Sequence, residues 1–139
     1  MAEWTDRAFT VAEAAAMSGL NRAHLDVIVS RARSCDVLFS ERRNGRRWFS
    51  PKDITVLRLA HEIERAGQTW LTALARAFHH LDQPPPIDAV LMFSTKSVSY
   101  RSGRVISGLH GQAPSGSMAV IPIGLMAAEI LHYVEQEAA

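Results

Sequence analysis

The stretch Ser40-Glu41-Arg42-Arg43-Asn44-Gly45-Arg46-Arg47-Trp48-Phe49-Ser50-Pro51-Lys52-Asp53 decides how this chain is read. Asn-Gly is a strong hairpin signal, because both central residues of a type I′ turn need positive φ. Arg42 and Arg43 precede the turn, Arg46 and Arg47 follow it, and Trp48-Phe49 close it. The segment therefore predicts a β-hairpin over residues 41–48 with four guanidiniums near its tip. Such a hairpin can lie along a phosphate backbone, where each neutralised phosphate releases a counterion. Arginine also suits bidentate phosphate contacts and entry into a narrow minor groove. The bland reading of the same run is a solvated charged surface. Ser50, Pro51 and Asp53 then supply an N-cap, a proline at the first helical position and a first-turn carboxylate, so a helix starts here.

Upstream, Thr10 stands three residues before Glu13, the spacing of a capping box, and Ala14-Ala15-Ala16-Met17 follows. This predicts a short helix that Gly19 ends. Asn21 can cap the next helix, where Leu25, Ile28, Val29 and Ala32 fall on one face. Two short helices joined by Ser18-Gly19-Leu20 outline a helix-turn-helix, though an ordinary helical hairpin has the same outline. Val37-Leu38-Phe39 is a short strand-like run.

Downstream of Ser50, Ile54, Leu57, Ala60 and Ile63 give the third helix its inward face, widened by Val56 and Leu59, and Gly67 closes it. Thr69 caps a fourth helix with Leu71, Leu74, Ala75 and Phe78 on one side. Asp82-Gln83-Pro84-Pro85-Pro86 cannot continue a helix and favours a stiff extended connection. We place a linker at residues 82–86, between domains at 1–81 and 87–139. The second part reads as strands around residues 90–93, 104–107 and 118–121, with Pro122 marking an edge strand. A last helix follows over 125–136, with Ala127, Ile130, Leu131 and Val134 on one face. Some 50 residues is thin for an independent core. The second part is therefore expected to pack on the first or, as the favoured option, on a second copy of itself. The fold class expected is α+β: four helices and a hairpin, then a small antiparallel sheet with one C-terminal helix.

The order of parts resembles the MerR-like winged helix-turn-helix. The matching pieces are Phe9-Thr10-Val11-Ala12-Glu13-Ala14-Ala15, Ser18-Gly19-Leu20-Asn21, Asn44-Gly45-Arg46-Arg47-Trp48-Phe49, Ser50-Pro51-Lys52-Asp53-Ile54 and Arg65-Ala66-Gly67-Gln68-Thr69-Trp70-Leu71. The resemblance covers residues 9–81, and excisionases and the DNA-recognition subunits of phage packaging machinery look similar in this module. It implies a winged helix that binds duplex DNA, with the family's wing arginine falling at Arg46 and Arg47. The chain departs from the family at Leu25-Asp26-Val27-Ile28, where an Arg followed by aromatics is usual. It also lacks the cysteines of the metal-sensing members, and Pro84-Pro85-Pro86 interrupts the route to their long dimerising helix.

A recognition helix sets its N-terminal side chains nearest the base edges. Here these are Asn21, Arg22, Ala23 and His24 on a helix over 21–33; Asn can read adenine and Arg guanine. Asn21 also serves as the cap. The residues expected at DNA are Asn21, Arg22, His24, Arg31, Arg42, Arg43, Asn44, Arg46 and Arg47. Trp48 and Phe49 are expected to pack the hairpin, with the pleat turning one of them inward.

Composition sets the outer bounds. The 139 residues allow one medium domain or two small ones, and 47% hydrophobic with 21% charged residues argues against wholesale disorder. The net charge of +1 divides unevenly: 12 Lys/Arg against 9 Asp/Glu in residues 1–80, and 3 against 5 in residues 81–139. Cys35 is the single cysteine, which leaves no internal disulfide and no multi-thiolate zinc site. No apolar run approaches the roughly 20 residues of a membrane span, and no secretory pattern opens the chain. A cytoplasmic setting is expected. The six histidines form no ligand spacing, and neither a nucleophile with its base nor a phosphate loop is visible, so neither an enzyme nor a cofactor is expected.

The function expected is a transcriptional regulator that binds specific duplex DNA as a homodimer through its C-terminal half. Two alternatives stay open. One is an excisionase-like or DNA-packaging recognition protein whose second half binds a protein partner. The other is an interaction adaptor with the winged-helix shape and no DNA affinity.

Overall fold

The computed structural model describes residues 3–32, 41–95, 103–107 and 117–137. Helix α1 spans Val11–Ser18 and α2 Arg22–Ala32; β1 (Glu41–Arg43) and β2 (Arg46–Trp48) form a hairpin; α3 spans Pro51–Arg65 and α4 Trp70–His80. Strands β3 (Ala89–Ser94), β4 (Arg104–Ser107) and β5 (Met118–Ile121) and helix α5 (Ile123–Glu137) complete the order. The class is α+β, with two small antiparallel sheets. None of the described helices is long and apolar enough to cross a membrane.

Local chemistry sets the boundaries. Thr10 and Glu13 close a reciprocal capping box at the start of α1, and Gly19 ends that helix at φ 74°. The Asn21 side-chain oxygen accepts the His24 N–H at 3.1 Å, so the cap of α2 forms as expected. Ser50 and Asp53 make a second capping box: Asp53 Oδ2 accepts the buried Ser50 N–H at 2.7 Å, and Ser50 Oγ accepts the Asp53 N–H at 3.0 Å. The same Oδ2 accepts from Arg7 Nε at 3.0 Å, which balances a carboxylate that is 2% exposed. Asn44 and Gly45 both take positive φ, 51° and 78°, as a type I′ turn demands. Phe49 continues the hairpin into a bridge with Phe9, through N–H···O bonds of 3.0 and 2.8 Å.

Helix α3 is the hub, because α1, α4 and α5 all pack on it. The six apolar side chains of α3 expected from the periodicity, Ile54, Val56, Leu57, Leu59, Ala60 and Ile63, are buried, and so is Pro51 at its first position. The inward side of α4 is a correction. Leu71 is 52% exposed, while Ala73, Leu74, Arg76 and Ala77 are buried. Arg76 draws this face round, since its guanidinium sits over the Phe93 ring at 4.3 Å and its long stem is apolar. Burial lowers its pKa. Leu25, Ile28 and Val29 of α2 are buried as expected. The run Val37-Leu38-Phe39 and Cys35 lie outside the described residues.

In the second half, β3 is central, with β4 and β5 as its two neighbours, so the strand that ends before Pro122 is an edge. Leu91 stands opposite both Val105 and Ile121. Alternation sends Ala89, Leu91 and Phe93 to one face, and Met92 on the other face is buried as well, at 1% exposed. Ala89, Leu91 and Phe93 join Phe9, Leu25, Ile54, Leu57, Met126 and Ile130 in one apolar cluster. The second half thus packs on the first, one of the two options the sequence leaves open. The physical reason is the width of the α3 face, which α4 alone leaves uncovered and α5 seals. Arg58 of α3 also pairs with Glu129 of α5 at 2.6 Å. The connection at 82–86 is docked to the rest: Asp82 lies 3.6 Å from Lys52 Nζ, and the Pro86 carbonyl accepts the Ala89 N–H at 2.9 Å. A Cβ on Gly124 would overlap that same Pro86 carbonyl, so α5 starts in direct contact with the linker.

Candidate nucleic-acid interface

The hairpin register sets Arg42 opposite Arg47 and Arg43 opposite Arg46. Like charges directly across a strand pair destabilise it, so this arrangement works against the hairpin's own folding. Part of the charge is put to use within the fold. The Arg43 guanidinium lies 5.1 Å over the Trp48 ring and donates to the carbonyl oxygen of Arg7. Trp48 is half-buried and Phe49 fully buried, which divides the two aromatics as the pleat requires.

Three of the hairpin arginines converge with α2. A cleft of about 400 Å³ opens between the hairpin, the start of α2 and the start of α1. Its cationic walls are Arg22, Arg42, Arg46 and Arg47, and Thr10, Val11, Ala12 and Asp26 complete them with Gly45. Val11 and Ala12 are the first two residues of α1, where backbone N–H groups have no intrahelical acceptor and the helix dipole favours an anion. Among the described residues the cleft therefore combines four guanidiniums, a helix N-terminus and one carboxylate. Chemically it suits a phosphodiester or another polyanion, by bidentate contacts from arginine and N–H donation from α1.

The other expected site residues lie outside this lining. Asn21 is bound into the α2 cap, and Asn44 holds the tip of the turn. His24 sits on another flank of α2, edge-on to His61 of α3 with ring centroids 6.3 Å apart. Arg31 is exposed in the last turn of α2. The N-terminal side of α2 is open to solvent: Asn21, Arg22, Ala23, His24, Asp26 and Val27 are all exposed. Two parts of the cleft were missed in the sequence. The start of α1 was marked by the Thr10 capping box, but only the fold brings it beside the hairpin. Asp26 shares a face with Arg22 at a spacing of four, which the helical period makes legible.

No family model, curated protein or solved structure matches this chain.

Proposed function

We propose that this chain is a sequence-specific double-stranded DNA-binding transcriptional regulator built on a MerR-like winged helix-turn-helix, with α2 in the major groove and the β1–β2 hairpin as a wing on the backbone. The observation that carries this reading is the cleft that joins Arg22 of α2 to Arg42, Arg46 and Arg47 of the hairpin beside the start of α1. Opposed arginine pairs on a short hairpin cost stability, and a phosphate backbone relieves that repulsion. The exposed N-terminal side of α2 leaves side chains available for base edges. A homodimer that reads two half-sites belongs to the proposal. Because α5 and the inner face of the three-stranded sheet are in the core, the edge strands β4 and β5, with Val105 and Val120 exposed, are where a second copy would dock.

The test is the salt dependence of duplex binding, followed by fluorescence anisotropy for the wild type and for Arg46→Ala/Arg47→Ala. Two lost phosphate contacts flatten the slope of log K against log salt by about 1.8. An unchanged slope removes the wing assignment. Absence of duplex binding by the wild type removes the function.

A further inference from the structure

Among the described residues, Asp26 is the one acidic side chain lining the cleft, where four guanidiniums share the walls with it. It is exposed, and its carboxylate has neither an ion pair nor a side-chain hydrogen bond among the described residues. The burial of Leu25, Ile28 and Val29 fixes the rotation of α2, so Asp26 is held beside Arg22, one turn further along the same face. On a surface that attracts phosphate, a carboxylate subtracts affinity. It contributes there only by accepting hydrogen bonds, which no arginine can do.

We propose that Asp26 is a specificity-determining residue that accepts the exocyclic amino group of a cytosine in the major groove; the inference rests on the DNA-binding reading above. Two bases display an amino donor in that groove, cytosine at N4 and adenine at N6. Adenine sets its N7 acceptor beside the amino group, and N7 repels a carboxylate. Cytosine has no acceptor on that side of its ring. Arg22 matches guanine, whose O6 and N7 accept both arms of a guanidinium. Residues 22 and 26 stand about 6 Å apart along the helix axis, and successive bases rise about 3.4 Å, so the two side chains address base pairs one or two steps apart. The carboxylate also acts against wrong sequences, since any base that offers only acceptors leaves it desolvated and unmatched.

The experiment is selection from a random duplex pool by the full chain and by Asp26→Asn and Asp26→Ala, with competition binding of the selected and a scrambled duplex at one salt concentration. The wild type is expected to enrich a cytosine one or two steps from a guanine. Asp26→Asn should convert that cytosine to adenine, because an amide donates to N7 and accepts from N6. Asp26→Ala should lower discrimination at that position about tenfold and bind the scrambled duplex several-fold more tightly, since a repelling charge is gone. Asp26 is exposed, so thermal midpoints unchanged in both variants will show that the fold is intact. Retention of the cytosine preference in both variants overturns the role of Asp26 and leaves the DNA-binding reading standing. Failure of the wild type to bind or enrich any duplex overturns that reading and this inference with it.

Discussion

Ile130→Ala tests whether the two halves of the chain form one cooperative unit. Ile130 lies on α5, is 1% exposed, and belongs to the apolar cluster that includes Ile54 and Leu57 of α3. Truncation removes a fully buried branched side chain and leaves a cavity between packed helices, at a cost of about 3 kcal/mol. With a urea m-value of about 2 kcal/mol/M for a domain of this size, the midpoint should fall by about 1.5 M. All three tryptophans, Trp4, Trp48 and Trp70, precede residue 87, so tryptophan fluorescence reports only on the first half. Far-UV circular dichroism reports on both. If the core is continuous, the fluorescence and dichroism transitions coincide and shift together. Leu125→Ala, on the same helix but 51% exposed, should move the midpoint by a fraction of that amount. A fluorescence transition that superimposes on the wild type, while the dichroism signal is lost earlier in a separate step, would refute the single-core account.

Three further outcomes follow from local geometry. Asp53→Ala strips the buried Ser50 N–H and the Arg7 guanidinium of their shared acceptor, and it should lower stability by roughly 3 kcal/mol in the same urea titration, with a smaller loss for Asp53→Asn. Gly124→Ala forces a Cβ into the Pro86 carbonyl and should cost about 2 kcal/mol or more by thermal melting, although alanine is the better helix former. Arg22→Ala should relax preference at a single base position in a panel of point-substituted duplexes, whereas a uniform loss across the panel would assign Arg22 to the phosphates.

Much of the fold was legible because short-range chemistry decides it. The Thr10 capping box, the Ser50, Asn21 and Thr69 caps, and the Asn44-Gly45 turn each depend on residues within four positions, and each forms where the sequence places it. The strands at 104–107 and 118–121 are also where turn residues and the proline bound them. What was not legible depends on long-range packing. The prolines at 84–86 mark a break in helical structure, and a break in the chain is not a break in the core: Pro86 is clasped by Gly124, and α5 covers α3. The inward face of α4 differs from its hydropathy pattern, in which Leu71 outranks Arg76, because an aromatic ring opposite, Phe93, makes the arginine the buried residue. The candidate site shows the same division. Sequence identified the arginines, and folding selected Arg22, Arg42, Arg46 and Arg47 for the cleft while turning Arg43 onto Trp48.

The central claim is that α2 and the arginine hairpin together read duplex DNA. The most direct test is selection from a random duplex pool at near-physiological salt, run in parallel with wild-type protein and with Arg46→Ala/Arg47→Ala. The account predicts an enriched motif with two-fold symmetry for the wild type, and its loss in the double variant. Enrichment of no motif by a wild-type protein that is folded would contradict it.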